Sequence, residues 1–159
     1  MKWFNSLFIY MRYWLCVTTP HNWEIVKERR LWGVDDRYEF TLKNNVSIGD
    51  FFVFYVTKKG VVGIYKVTSE YFYDSTPVGW VNKKGHPYTY PHRINIEPVL
   101  LNEIPLPINE EIKKQLVFIT DKSKSWMVFV FPSMVLIPKE DFEKIRLLLL
   151  KSQGETRGK

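Results

Sequence analysis

Phe51-Phe52-Val53-Phe54-Tyr55-Val56-Thr57, then Lys58-Lys59-Gly60, then Val61-Val62-Gly63-Ile64-Tyr65-Lys66-Val67-Thr68 is the stretch that decides the fold. Its first run is apolar at nearly every position, so both faces must be covered, as in a central strand of a closed or heavily packed sheet. Lys58-Lys59-Gly60 reads as a tight hairpin, which makes the second run an antiparallel return strand. Gly63 inside that return strand predicts a bulge, or the close approach of another backbone or a ligand.

Toward the N-terminus, Tyr13-Trp14-Leu15-Cys16-Val17 is a compact apolar run of β-favouring residues. Thr18-Thr19-Pro20 ends it with a helix-start signal, a hydroxyl cap followed by proline at the first helical position. The spacing predicts a helix over residues 20–29 with Trp23, Val26 and Lys27 along one side, then a loop carrying Trp32. Residues 35–43 show no sustained period and read as irregular or a short helix. Toward the C-terminus, Ile94, Ile96 and Pro98 alternate with Arg93, Asn95 and Glu97, which predicts a strand with one wet face. Pro105 and Pro107 mark a turn, and Asn109 caps a short helix. Two further strands are expected around residues 116–119 and 126–131. A final helix starts at Pro138, with Glu140 and Asp141 in its first turn to complement the helix dipole and Phe142, Ile145, Leu148 and Leu149 as its buried stripe. About six short strands with helices between them indicate an α+β domain around a small mixed β-barrel.

The 159 residues, 45% of them hydrophobic, suffice for one core. The expected organisation is an N-terminal extension over residues 1–10, a single domain over 11–152 and a disordered basic tail over 153–159. Residues 1–10 lack the long apolar stretch and cleavage site of a signal peptide, and no run reaches the roughly 18 to 20 apolar residues that span a bilayer. Cys16 is the single cysteine, so an intrachain disulfide and a cysteine-rich zinc site are excluded and a cytoplasmic setting is expected. A net charge of +6 attracts anions, among them nucleic acid, acidic proteins and anionic lipids. Arg146, Lys151, Arg157 and Lys159 in the last helix and tail account for part of it.

Two tryptophans stand out, Trp32 in Leu31-Trp32-Gly33-Val34 and Trp80 in Val78-Gly79-Trp80. A large aromatic beside glycine in a loop lets backbone and ligand approach a flat π face, which suggests a planar guest such as one nucleobase. Tyr88-Thr89-Tyr90-Pro91-His92-Arg93-Ile94 adds aromatic, imidazole and guanidinium groups. Lys58, Lys59, Lys83, Lys84 and Arg93 are candidate phosphate contacts, because the two lysine pairs occupy turns from which ammonium groups reach a backbone; lysines at hairpin tips also serve solubility alone.

Tyr13-Trp14-Leu15, Trp32-Gly33-Val34, Gly49-Asp50-Phe51-Phe52-Val53-Phe54-Tyr55 and Tyr90-Pro91-His92-Arg93-Ile94 together resemble an EVE domain of the PUA-like superfamily, a relative of the YTH domain. The resemblance spans residues 11–142. It implies a PUA-like barrel and a site that holds a modified, flipped base of DNA or RNA in an aromatic cage. By similarity to YTH domains, Trp32 matches the cage tryptophan after the first helix and Trp80, 48 residues on, the second. Thr18, Thr19 and Asn22 fall where those domains carry polar groups for the base edge. Gly33 departs from the YTH pattern, in which serine is common. Gly33, Val34 and the segment Tyr90, Pro91, His92 and Arg93 are expected to line the pocket or its rim. EVE-like domains resemble reader modules fused to effectors, so an effector protein is an expected partner.

Catalysis is not the expected role. His21, His86 and His92 form no close-spaced metal pair, and no metal or cofactor is anticipated. Cys16 in an apolar strand is expected to be an inert thiol, and Asp35-Asp36 reads first as turn chemistry; Asp50 is a further carboxylate. Two alternatives stay open: a small hydrolase of the ASCH type acting on a modified nucleoside, and a protein-interaction module with exposed aromatics.

Overall fold

The structure is a computed structural model that describes residues 11–157. The proposed extension over residues 1–10, and the last two residues of the tail, lie outside the described residues. Seven strands and four α-helices follow one another along the chain. They are β1 (Tyr13–Thr18), α1 (Pro20–Arg29), β2 (Leu31–Val34), β3 (Phe51–Val56), β4 (Gly60–Val67), β5 (Phe72–Tyr73), β6 (His92–Leu106), α2 (Glu110–Gln115), α3 (Trp126–Phe129), β7 (Met134–Ile137) and α4 (Lys139–Arg157). The sheet order is β2-β6-β4-β3-β1-β7, with the two-residue β5 added to β6. β1 runs parallel to β3 and every other pair is antiparallel. The sheet curls into a half-barrel in an α+β domain, as the sequence predicts.

The β3 run dictates this arrangement. Phe52, Phe54 and Val56 enter one core cluster with Trp14, Trp23, Trp32 and Trp80, whereas Val53 and Tyr55 enter a second with Ile112, Phe142, Ile145 and Leu149. Alternate side chains of a strand point to opposite faces, so an unbroken apolar run needs a cover on each. α1 and the segment around Trp80 cover one face, and α2 and α4 the other. The predicted bulge is present: β4 shifts register at Gly63, where a Cβ would stand 2.7 Å from the Leu100 carbonyl oxygen of β6.

α1 has the predicted limits because its caps are encoded locally. Thr19 accepts from the Asn22 amide at 3.4 Å, Pro20 opens the helix, and Arg30 closes it at φ 52° with its N–H donating to the Val26 carbonyl. That left-handed residue turns the chain directly into β2, so Trp32 lies in a strand and not in the expected loop. β6 is longer than predicted and runs through Pro105, so the turn begins only at Pro107.

The C-terminal third departs most from expectation. Residues 116–119 form no strand, because the buried Asp141 carboxylate accepts the Val117 and Phe118 amides at 2.7 and 2.8 Å, donors that a ladder would need. The 126–131 run opens as a helical turn, α3, capped by the Ser125 hydroxyl on the Met127 amide. The last strand is instead β7, set between Pro132 and Pro138 and paired with β1. α4 continues to Arg157, past the point where the tail was expected to begin; Gln153 Nε2 donates to the Leu101 carbonyl at 2.8 Å and ties its last turns to β6. Among the described residues, no helix is long and apolar enough to cross a membrane.

Cys16 is fully buried in β1, and burial pushes its thiol well above the ordinary range. A native sample treated with iodoacetamide at neutral pH is therefore expected to stay unmodified and to react only on unfolding, because the thiolate is the nucleophile. Mass spectrometry before and after denaturant checks this, and rapid native alkylation would contradict it.

Candidate nucleic-acid interface

Trp32 and Trp80 share one cavity of about 350 Å3. Each indole is only 3% exposed, so the rings form its floor and wall and do not project into solvent. β2 holds Trp32 through its pairing with Ile94 of β6, and the Phe54 ring of β3 meets it edge-on at 5.3 Å. Trp80 sits in an irregular segment with no ladder to fix it, and three separate devices do so.

The first is α1. Its opening turn grips the chain on both sides of Trp80: the His21 ring bonds the Gly79 carbonyl at 2.9 Å, while the Asn22 amide donates to the Val81 carbonyl at 2.8 Å and accepts from the Val81 N–H at 2.9 Å. The second is Arg93, 1% exposed under the loop. Its guanidinium lies 5.3 Å from the Trp80 ring and donates to the carbonyls of Thr76, Thr89 and Tyr90 at 2.5, 2.8 and 3.2 Å, with Asp74 at 3.5 Å supplying the countercharge. The alternation in β6 assigned Arg93 to a wet face; the structure turns it inward, because its fork satisfies carbonyls of a loop that has no strand to do so.

The third device is Gly33. A Cβ built there would lie 2.7 Å from Trp80 Cη2 and from the Tyr90 carbonyl oxygen, and closer still to Trp80 Cζ3. The space a side chain would need at Gly33 is thus taken by the Trp80 ring. Gly33→Ser is expected to destabilise the fold by about 1–3 kcal/mol through overpacking and to displace Trp80. Urea denaturation measures the first and the tryptophan emission maximum the second; an unchanged midpoint with unchanged emission would contradict the close contact.

Of the residues singled out in the sequence, Thr18, Thr19, Asn22, Trp32, Gly33, Lys58, Trp80 and Lys83 line the cavity. Val34, Lys59, Lys84, Pro91, His92 and Arg93 do not. Val34 is core at 1% exposure. Asn22 spends its amide on Val81, which makes it a positioning residue for Trp80. His92 is 3% exposed between the Tyr71 hydroxyl on Nδ1 and Asp36 on Nε2, both at 2.7 Å. That chain of bonds fastens the short turn at Asp36–Tyr38 to β6.

Tyr90, expected with its segment at the pocket or its rim, lines the cavity; sequence reasoning missed Val81, Asn82, Met127, Val130, Phe131 and Ser133. Tyr90 adds a third ring, edge-on to Trp80 at 5.9 Å, in a left-handed conformation at φ 44°; its place in Tyr90-Pro91-His92-Arg93 was the available signal. Burial raises its hydroxyl pKa, and the Asp35 charge adds to that. Met127 and Phe131 come from the α3 segment, far away in the chain, and Phe131 takes the Lys83 ammonium over its ring at 3.7 Å across the mouth. No local pattern encodes that meeting. Among the described residues, the only charged side chains in the lining are Lys58 and Lys83. Among the described residues, no group of three His, Cys, Asp or Glu side chains could hold a metal ion.

Comparison with known proteins agrees with this architecture. The chain is 38% identical over 148 residues to a UPF0310 protein of Pyrococcus abyssi, covering 87% of this chain and 100% of that protein. A UPF0310 protein of Pyrococcus horikoshii is 36% identical over 151 residues, covering 88% and 100%. Among solved structures, the YTH domain of a Zygosaccharomyces rouxii protein in complex with N6-methyladenosine RNA superposes with a TM-score of 0.62 at 14% identity, covering 89% of this chain and 88% of that one; it shares the fold. The model of the EVE domain matches residues 12–148, and with nearly the whole described chain inside that match, this protein belongs to the EVE domain family.

Proposed function

We propose that this protein is a non-catalytic module that binds nucleic acid and holds one modified base, for example a methylated one, of DNA or RNA between Trp32 and Trp80. The observation that carries this reading is the cavity itself: two indoles and the Tyr90 ring around about 350 Å3, with Lys58 and Lys83 as the charged groups of its lining among the described residues. That volume falls within the roughly 300–1,000 Å3 typical of small-ligand pockets. The YTH neighbour bound to N6-methyladenosine RNA supports the same assignment. Trp32, Trp80 and Tyr90 stack on or wall the base, the hydroxyls of Thr18 and Thr19 face its edge, and Lys58 and Lys83 take its phosphates. Lys59 and Lys84, on the adjoining turns, extend the positive rim.

Magnitudes restrict the substrate. Stacking contributes about 1–3 kcal/mol per base, whereas drawing a base from a duplex costs a few kcal/mol. Single-stranded or damaged sites are therefore favoured. A methyl group adds about 0.8 kcal/mol by burial, so methylation alone gives modest discrimination, and an electron-poor or cationic modified base gains more from the indole faces. Among the described residues, the lining contains no carboxylate, imidazole or thiol; the hydrolase reading would have to use its lysine, tyrosine or hydroxyl groups.

Titration of the protein with N6-methyladenosine and 5-methylcytidine monophosphates and their unmodified forms, followed by tryptophan fluorescence, tests the proposal. A modified nucleotide is expected to change emission at lower concentration than its parent; silence from all four would overturn it. With a single-stranded oligonucleotide, affinity falls with salt, and Lys58→Ala and Lys83→Ala are each expected to reduce the log–log salt slope by about 0.7.

A further inference from the structure

Phe131 lines the mouth of the cavity with its ring 68% exposed, although the chain on both sides of it is fastened down. Before it, Val130 is buried in the core, and Trp126 anchors the same segment against the Tyr55 ring at 5.4 Å and the Phe118 ring at 6.0 Å. After it, Pro132 narrows the backbone conformations open to Phe131. Ser133 is then tied twice: its carbonyl accepts from the Val17 N–H of β1 at 2.9 Å, and its N–H donates to the Tyr38 hydroxyl at 3.0 Å. A large apolar ring is thus presented to solvent at a defined place, where it forgoes the stabilisation that burial would give.

Lys83 meets this ring across the mouth, its ammonium 3.7 Å over the ring. A fixed turn presents Lys83 as well: Asn82 Oδ1 accepts the Lys84 and His86 N–H groups at 3.0 Å each, and the Asn82 N–H donates to the His86 carbonyl at 2.8 Å. A cation beside an aromatic face matches the two halves of a nucleotide, a phosphate and a π face. The ammonium covers one face of Phe131, and the exposure of the ring leaves the other for a base. Met127 and Val128 of α3 are exposed beside it in the chain. An apolar patch alone would suit a protein partner equally, but the Lys83-Lys84 pair and the continuity of Phe131 with the cavity lining favour a nucleic-acid strand.

From this we infer that Phe131 is a stacking platform for the nucleotide next to the base held between Trp32 and Trp80, with Lys83 on the phosphate that joins the two. The inference rests on the proposed base pocket. The strand leaves the cavity through its mouth, and its first unflipped base meets the exposed ring.

Fluorescence anisotropy with labelled RNA pentanucleotides, N6-methyladenosine at the centre and the four flanking positions either uridine or abasic ribose, tests it. The two strands carry the same phosphates, so they differ only in what can stack. The protein is expected to bind the uridine-flanked strand about fivefold more tightly or better, the lower end of stacking on an aromatic side chain. Phe131→Ala and Phe131→Leu each remove that ratio, the second because it keeps apolar bulk without a π face, and Phe131→Trp keeps or raises it. Trp32→Phe weakens both strands and keeps the ratio. A ratio that survives Phe131→Ala, or no ratio in the unaltered protein, overturns the platform and leaves the base pocket standing. Affinities unmoved by Trp32→Phe but levelled by Phe131→Ala overturn the base pocket on which the inference rests. If the ratio is absent and the unaltered protein self-associates in sedimentation velocity while Phe131→Ala does not, the patch is a protein contact and the proposal fails.

Discussion

Replacing Arg93 by leucine is expected to destabilise the protein by about 1–3 kcal/mol for each carbonyl left without its donor inside the fold, and to free the loop that carries Trp80. Three carbonyls, those of Thr76, Thr89 and Tyr90, lose their donor together, and Asp74 loses its countercharge. Leucine returns some apolar contact but nothing that can donate. Arg93→Lys restores the charge without the fork and is expected to recover only part of the loss. Chemical denaturation gives the first quantity, and hydrogen exchange at residues 76–90 gives the second. If Arg93→Leu unfolds at the parent midpoint with unchanged exchange in that loop, Arg93 is not its support.

Trp32→Ala should have the largest effect on binding. It removes one of the two indoles and leaves a void against Phe54, so a loss of about 3–5 kcal/mol in stability is expected, together with loss of the fluorescence response to any nucleotide that gives one. Stability and recognition separate with Trp32→Phe. The Trp32 Nε1–H is buried without a partner, so phenylalanine removes an orphaned donor worth about 1–3 kcal/mol while it gives up some packing. That variant should fold close to the parent and bind weakly, because a smaller ring still stacks. If Trp32→Ala folds and binds as the parent does, the base pocket is wrong. Trp80 Nε1 is likewise buried and unpartnered.

What holds this arrangement together was unevenly visible in the chain. The hairpin Phe51–Val67 and the capped helix from Pro20 rest on signals within a few residues of one another, and the structure contains both; the pairing of Trp32 with Trp80, 48 residues apart, was implied only by the resemblance, and both rings line one cavity. The strands expected at residues 116–119 and 126–131 failed for a different reason. Their apolar content suits a strand, but the amides at 117 and 118 are claimed by Asp141, more than twenty residues away, and Ser125 starts a helical turn. A local pattern cannot register a distant carboxylate.

The same division applies to the site. The sequence by itself determined that β3 must be covered on both faces, that α1 starts at Pro20 and that two indoles beside glycines were available for a flat guest, because hydrophobic alternation and capping act over neighbouring residues. Only the tertiary structure decided that Gly33 makes room for Trp80, that Arg93 turns inward beneath it, that Asn22 serves Val81, and that Lys83 meets Phe131 at the mouth. Each of those is a contact between segments whose approach depends on how the whole sheet curls, and that curvature is a property of seven strands packed together, not of any one of them.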